Sequence, residues 1–97
     1  MTTEKDIEIY LRDCVKAIGG RAYKFVSPGN DGVPDRLVCL PGGAALFVEL
    51  EAPGKKLRPL QQKQLNFLAG LGFSTWVIDS KATVNTFIAF CKGLMAK

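Results

Sequence analysis

An α/β domain with a mixed sheet, in the order αβββαβα, is what this sequence predicts, on three observations. Apolar residues recur at helical spacing in three separate stretches: residues 3–18, the segment opened by Pro59, and the segment after Ser80. Between the first two lie short apolar runs separated by glycine- and proline-rich turns, the punctuation of strands. The run Ala44–Leu50, the second helix and the run Ser74–Ile78 then form a strand–helix–strand unit, which implies parallel pairing through a right-handed crossover.

Each element has its own local reason. Ile7, Leu11, Cys14, Val15 and Ile18 make the stripe of the first helix, Gly19-Gly20 ends it, and Glu4 and Glu8 lie one turn apart beside the stripe. Ala22–Val26 reads as a strand, followed by the turn-rich loop at residues 27–32. Leu37–Leu40 and Ala44–Leu50 are strands joined by Pro41-Gly42-Gly43. Ala52-Pro53-Gly54 breaks the second of these. Pro59 suits the first turn of a helix carrying Leu60, Gln64, Leu65, Leu68 and Leu71, with Gly70 and Gly72 as candidate stops. Ser80 suits the N-cap of a last helix whose stripe is Val84, Phe87, Ile88, Cys91 and Met95.

With 97 residues, 47% hydrophobic and 23% charged, the chain is expected to be one globular domain over residues 1–97. A core of this size is adequate but marginal, and burial in a dimer interface is a natural supplement. No apolar run approaches the ~20 residues of a membrane span, and MTTEKDIEIY lacks the order of a signal peptide, so the expected location is cytoplasmic. Cys14, Cys39 and Cys91 are scattered and read as buried reduced thiols. The chain has no histidine, which removes a zinc site of the usual kind and Ser/His or Cys/His catalysis. An enzyme with this composition works with carboxylates, lysines and a hard metal ion. The net charge of +4 permits a polyanionic partner. Acids cluster at residues 4–13 and 31–51, with Lys55, Lys56, Arg58 and Lys63 directly after them. That distribution suits a protein that holds phosphates beside a cation.

Register brings the acids together. A three-residue loop at Pro41-Gly42-Gly43 pairs Leu40 with Ala44 and, counting outward, Asp35 with Glu49; directly opposed residues have Cβ atoms about 5 Å apart. A two-residue loop would instead oppose Asp35 to Leu50 and send Glu49 to the other face. Facing carboxylates in an apolar strand pair need a proton, a basic partner or a cation to offset repulsion and desolvation. The plainer alternative has Asp35 capping a turn beside Arg36, with Glu49 at a solvated sheet edge.

The run Gly32-Val33-Pro34-Asp35-Arg36-Leu37-Val38, then Phe47-Val48-Glu49-Leu50, then Ala52-Pro53-Gly54-Lys55-Lys56-Leu57-Arg58-Pro59-Leu60-Gln61 closely resembles the VRR-NUC (virus-type replication-repair nuclease) family of the PD-(D/E)xK nuclease superfamily. It looks like one of the small stand-alone members of phage or prophage origin. The resemblance implies a restriction-endonuclease-like core and Mg²⁺- or Mn²⁺-dependent hydrolysis of DNA phosphodiesters. It carries over Asp35 and Glu49 as metal-binding acids, Glu8 (with Glu4 as the alternative) as a helix ligand, and Gln61 as a contact to the site or to DNA. Stand-alone members are similar to Holliday-junction resolvases, which implies a homodimer acting on four-way branched DNA.

One position departs from the family. Where the motif has its lysine, this chain has Glu51, on the same face as Glu49 by strand alternation. Three explanations are open: the chain is impaired; a lysine reaches in from elsewhere, Lys24 first and Lys55 or Lys56 next; or Glu51 serves as an extra ligand or base. Lys55, Lys56, Arg58 and Lys63 are the expected phosphate contacts, with Arg12, Lys16, Arg21 and Lys24 as a second strip. Phe73, Trp76 and the last helix are expected in the core or a dimer interface. The alternative to an endonuclease is an inactive branched-DNA-binding module that keeps metal binding and dimerisation. A sequence-specific restriction-like enzyme is weaker still, because the chain has no room for a target-recognition domain.

Overall fold

A computed structural model describes residues 2–97. Helix α1 (Glu4–Ala17) starts on a capping box: Thr3 Oγ1 accepts from the Asp6 N–H at 3.1 Å and Asp6 Oδ2 accepts from the Thr3 N–H at 2.9 Å. Strands β1 (Arg21–Lys24), β2 (Arg36–Cys39), β3 (Ala45–Leu50) and β4 (Ser74–Ile78) form one sheet in the order β1-β2-β3-β4. The first two pairings are antiparallel and β3 runs parallel to β4, with helix α2 (Pro59–Gly70) as the crossover. Helix α3 (Lys81–Met95) closes the chain, capped by Ser80, whose Oγ accepts from the Thr83 N–H at 3.0 Å. The expected order αβββαβα and mixed sheet are what the chain forms.

Strand β3 lies between β2 and β4 and is covered on both faces, which is why its apolar run is nearly continuous. Leu46, Val48 and Leu50 join a core with Ile7, Leu11 and Val15 of α1 and Val84, Phe87 and Cys91 of α3. Alternation sends Phe47 and Glu49 to the opposite face. There Phe47 is the middle of an edge-to-face series, its ring centroid 5.5 Å from Phe25 and 5.3 Å from Phe73. The ladder puts Cys39 opposite Ala45 and Arg36 opposite Val48, and the Leu40 N–H donates to the Ala44 carbonyl at 2.9 Å. Continuing that register by one residue opposes Asp35 to Glu49. Gly42 and Gly43 both take positive φ, +92° and +96°, so the turn that sets the register depends on two glycines rather than one.

Three expectations shift. The first strand sits at Arg21–Lys24 rather than Ala22–Val26; Phe25 still donates its N–H to the Asp35 carbonyl at 2.8 Å, but Val26 leaves the sheet and is exposed. The apolar stripe of α2 is only partly inside: Leu65 is buried and Gln64 and Leu68 are half-buried, whereas Leu60 and Leu71 at its ends are exposed. Of the cysteines, Cys91 is buried and Cys14 and Cys39 are half-buried; all three are free thiols.

The loop before β2 is tied to α2 at Gly32. Its φ is +85°, and a Cβ there would lie 2.9 Å from backbone atoms of Leu60. Gly32→Ala is therefore expected to destabilise the fold by about 2–3 kcal/mol, read by urea denaturation, because both the φ and the contact penalise a methyl group.

Candidate active site

Strand β2 begins at the Pro34-Asp35 step and β3 ends at Leu50-Glu51, so their antiparallel pairing gathers the acids at one end of the sheet. A cavity of about 280 Å³ opens there, lined by Glu4, Asp35, Glu49, Glu51, Lys55, Lys56, Arg58 and Gln61 together with Leu50. The N-terminal turn of α1 supplies Glu4, and the loop leading into α2 supplies the cations.

Asp35 is held by its neighbours. Its Oδ2 accepts from the Leu50 N–H at 2.9 Å, so the carboxylate straps β2 to β3 while facing the cavity. Glu49 is 1% exposed, which excludes the solvated sheet edge, and its Oε2 is buried without a hydrogen-bond partner. Burial first, then the adjacent Asp35 and the charge of Glu51, push the Glu49 carboxyl up to about 9, with Arg58 acting the other way. Glu51 is 6% exposed and its backbone N–H continues the parallel ladder onto the Ile78 carbonyl at 3.0 Å. Its carboxyl is also raised, chiefly by burial and then by the charge of Glu4, while Lys55 and Arg58 oppose the shift.

The expected helix ligand divides in two. Glu8 Oε1 accepts from Arg36 Nη2 at 2.6 Å and lies 3.5 Å from the Lys5 ammonium, so it is engaged in a partly buried ion pair. Arg36 also donates from Nη1 to the Ala22 carbonyl, pinning α1 to β1 and β2. Glu4 instead lines the carboxylate cavity with Asp35, Glu49 and Glu51. Lys24 lies in a neighbouring cavity of about 180 Å³ with Glu4, Glu8, Asp35 and Arg36, whereas Lys55 and Lys56 stand with Glu51. Gln61 lines the carboxylate cavity, and its Oε1 accepts from the Arg58 N–H at 2.8 Å. Its carbonyl is thus committed to capping α2, leaving its amide N–H groups as what it can offer a phosphate. Lys63 faces solvent outside the cavity. Sequence reasoning missed the pairing of Glu8 with Arg36. Arg36 next to the expected Asp35 is the only local hint of it.

Among the described residues, no three His, Cys, Asp or Glu side chains stand close enough together to form a ready cation cage. A small hard cation does not need one, since Mg²⁺ commonly takes one or two carboxylates, waters and substrate phosphate. The orphaned Glu49 Oε2 belongs to a carboxyl that lines the same cavity as Asp35 and fits such an ion: the buried oxygen has no protein donor, and a cation would offset the desolvation and the repulsion that raise its pKa.

No family model matches the chain. It is 53% identical over 78 residues to a protein named "Putative nuclease p44" from Acyrthosiphon pisum secondary endosymbiont phage 1, a match that covers 80% of this chain and 84% of that one. A solved structure described as a VRR_NUC domain superposes with a TM-score of 0.84 at 30% identity, over 92% of this chain and 97% of the other. The three helices and four-stranded mixed sheet are those of its restriction-endonuclease-like fold. The opposed acids, the Pro-Asp step, the near-complete two-way coverage and the phage relative together place this chain in the VRR-NUC family of the PD-(D/E)xK nuclease superfamily.

Proposed function

We propose that this chain is an Mg²⁺- or Mn²⁺-dependent endodeoxyribonuclease that acts on branched DNA such as a four-way junction, working as a homodimer, with turnover impaired by Glu51. The observation that carries the reading is the facing of Asp35 and Glu49 across the β2–β3 ladder, with a buried Glu49 oxygen that lacks a partner. Asp35 and Glu49 would hold the cation, with Glu4 across the same cavity in reach of its waters; when bound, the ion supplies a more acidic water and neutralises charge on the phosphate oxygens. Glu51 adds a further carboxylate to that set.

The remaining residues prepare the substrate. Lys55, Lys56 and Arg58 rim the carboxylates and draw in the DNA backbone independently of sequence. Arg58 lies at the start of α2, where the Gln61 cap holds its backbone, and its side chain lines the cavity with the acids. Asp35, bonded to the Leu50 N–H, is held in position before any ligand arrives, which is the preorganisation phosphoryl chemistry requires. Glu8, already paired with Arg36, serves the scaffold.

The second reading is a branched-DNA-binding module that does not cleave. Glu51 favours it: a nearly buried carboxylate occupies the position of the motif lysine, and it repels the attacking oxyanion that a lysine would stabilise.

One assay separates the two. The purified protein is incubated with a labelled four-way junction and Mn²⁺, and both gel shifts and nicks are scored. Symmetric nicks that vanish in Asp35→Asn and fall at least tenfold in Glu4→Gln, but less than threefold in Glu8→Gln, support the enzyme and the ligand assignment. Tight shifts without nicks support the binding module. Neither shifts nor nicks on any junction would sink both.

A further inference from the structure

The far end of α1 carries a second cationic feature that the carboxylate cavity does not use. Arg12, Lys16 and Arg21, with Asp13, line a groove of about 490 Å³ whose floor is Gly20 and Ala22. Arg12 and Lys16 are one helical turn apart on the same face, and like charges at that spacing weaken a helix by about 0.2–0.5 kcal/mol. The turn between α1 and β1 then brings a third cation beside them. That turn is tightly held: Gly19 has φ +90°, and a Cβ on Gly20 would lie 2.7 Å from the Cys39 carbonyl oxygen and 3.1 Å from Val15. Arg21 is thereby fixed at the start of the edge strand β1 rather than left to swing on a loop.

Among the described residues, Asp13 is the one acid that lines the groove with the three cations. Arg12 Nε and Asp13 Oδ1 are 3.8 Å apart with both side chains largely exposed, a contact of little energy in water. Arg21 also stands 5.5 Å from the ring of Tyr23, which is 49% exposed and presents an aromatic face along the same strand. Lys24 does not belong to this group, since it lies in the cavity with Glu4 and Glu8.

Position relates the groove to the site. From Glu4 to Lys16 is twelve helical residues, roughly 18 Å along α1 at 1.5 Å per residue. B-DNA rises about 3.4 Å per base pair along each strand, so the groove stands about five base pairs from the carboxylates. We infer that the Arg12–Lys16–Arg21 groove is a second DNA-binding site, which grips the backbone phosphates of a duplex arm about half a helical turn from the scissile position. The inference rests on the nuclease reading in taking DNA as the polyanion and the carboxylates as the place where it is cut.

The test compares the full chain with the triple variant Arg12→Gln, Lys16→Gln, Arg21→Gln. A control triple variant, Lys81→Gln, Lys92→Gln, Lys97→Gln, removes the same charge elsewhere. All three groove residues are exposed, so the folds are expected to melt alike by circular dichroism. Affinity for a fluorescent 30-base-pair duplex is measured by anisotropy between 50 and 200 mM salt. The groove variant is expected to bind roughly tenfold more weakly, with a salt slope lower by about 2–3, close to 0.9 for each phosphate it no longer neutralises. The control is expected to change the slope by less than 1. Equal losses in both variants, or an unchanged slope in the groove variant, overturn the proposal. Groove-dependent binding in a protein that never nicks DNA overturns the catalytic reading alone.

Discussion

Glu51→Lys is expected to raise the single-turnover rate of Mn²⁺-supported junction cleavage by about 10²–10³-fold, the usual weight of one well-placed electrostatic contact at a reacting phosphate. The position is suited to it. Residue 51 follows β3, is nearly buried, and opens on the cavity shared by Asp35 and Glu49. A lysine there would lie against three carboxylates instead of adding a fourth, so the exchange replaces repulsion with attraction among Glu4, Asp35 and Glu49. DNA affinity is expected to rise less than the rate, since Lys55, Lys56 and Arg58 already attract the backbone. The measurement distinguishes all three accounts of Glu51. An unchanged rate means that another lysine, Lys24 beside Asp35 or Lys55 or Lys56 beside Glu51, already supplies the missing charge. A rate that falls means the carboxylate is itself a ligand or base.

Glu49→Gln is expected to stabilise the metal-free protein while abolishing cleavage. The folded carboxyl keeps its proton up to about 9, whereas the unfolded chain releases it near 4.5. Between those values the folded state binds more protons than the unfolded one, so stability falls as pH rises from about 4.5 to about 9 and levels off beyond. At pH 8 the loss is on the order of 2 kcal/mol, well below the full linkage value because local relaxation and water entry lower the cost of the charged form. An amide of the same shape carries no such penalty. Thermal melts in chelator should show Glu49→Gln gaining roughly 10 °C over the parent chain at pH 8 and almost nothing at pH 5. Equal gains at both values would show that the Glu49 carboxyl does not hold its proton in the fold. Added Mn²⁺ is expected to stabilise the parent chain at pH 8 and to leave Glu49→Gln nearly unaffected, as ligation to the native state alone requires.

Both expectations depend on features that differ in how far a sequence can disclose them. Helices and strands were legible because their signals are local: the 3.6-residue stripes of α1 and α3, the Ser80 cap, and the strand–helix–strand order that imposes a parallel crossover. The opposition of Asp35 to Glu49 was legible too. It follows from the length of the Pro41-Gly42-Gly43 turn, and a tight turn propagates its register along a ladder without help from the rest of the fold.

What the tertiary structure decided is everything that depends on a partner distant in sequence. Glu4 and Glu8 are equivalent by helical spacing. The Arg36 guanidinium, 28 residues on from Glu8, takes one and leaves the other to the cavity. The four basic residues of the expected second strip read as one group, yet Lys24 falls on the other side of the α1–β1 contact, because successive residues of a strand point to opposite faces. Helix α2 has an apolar stripe like the others but buries only Leu65 fully and leaves Leu60 and Leu71 exposed, a difference in packing that helical spacing cannot disclose. The sequence by itself determined which residues carry charge and which pair of strands brings Asp35 to Glu49. Only the packed sheet decided that Glu49 is cut off from water, and desolvation, a property of the assembled surroundings, is what gives that carboxyl its altered chemistry.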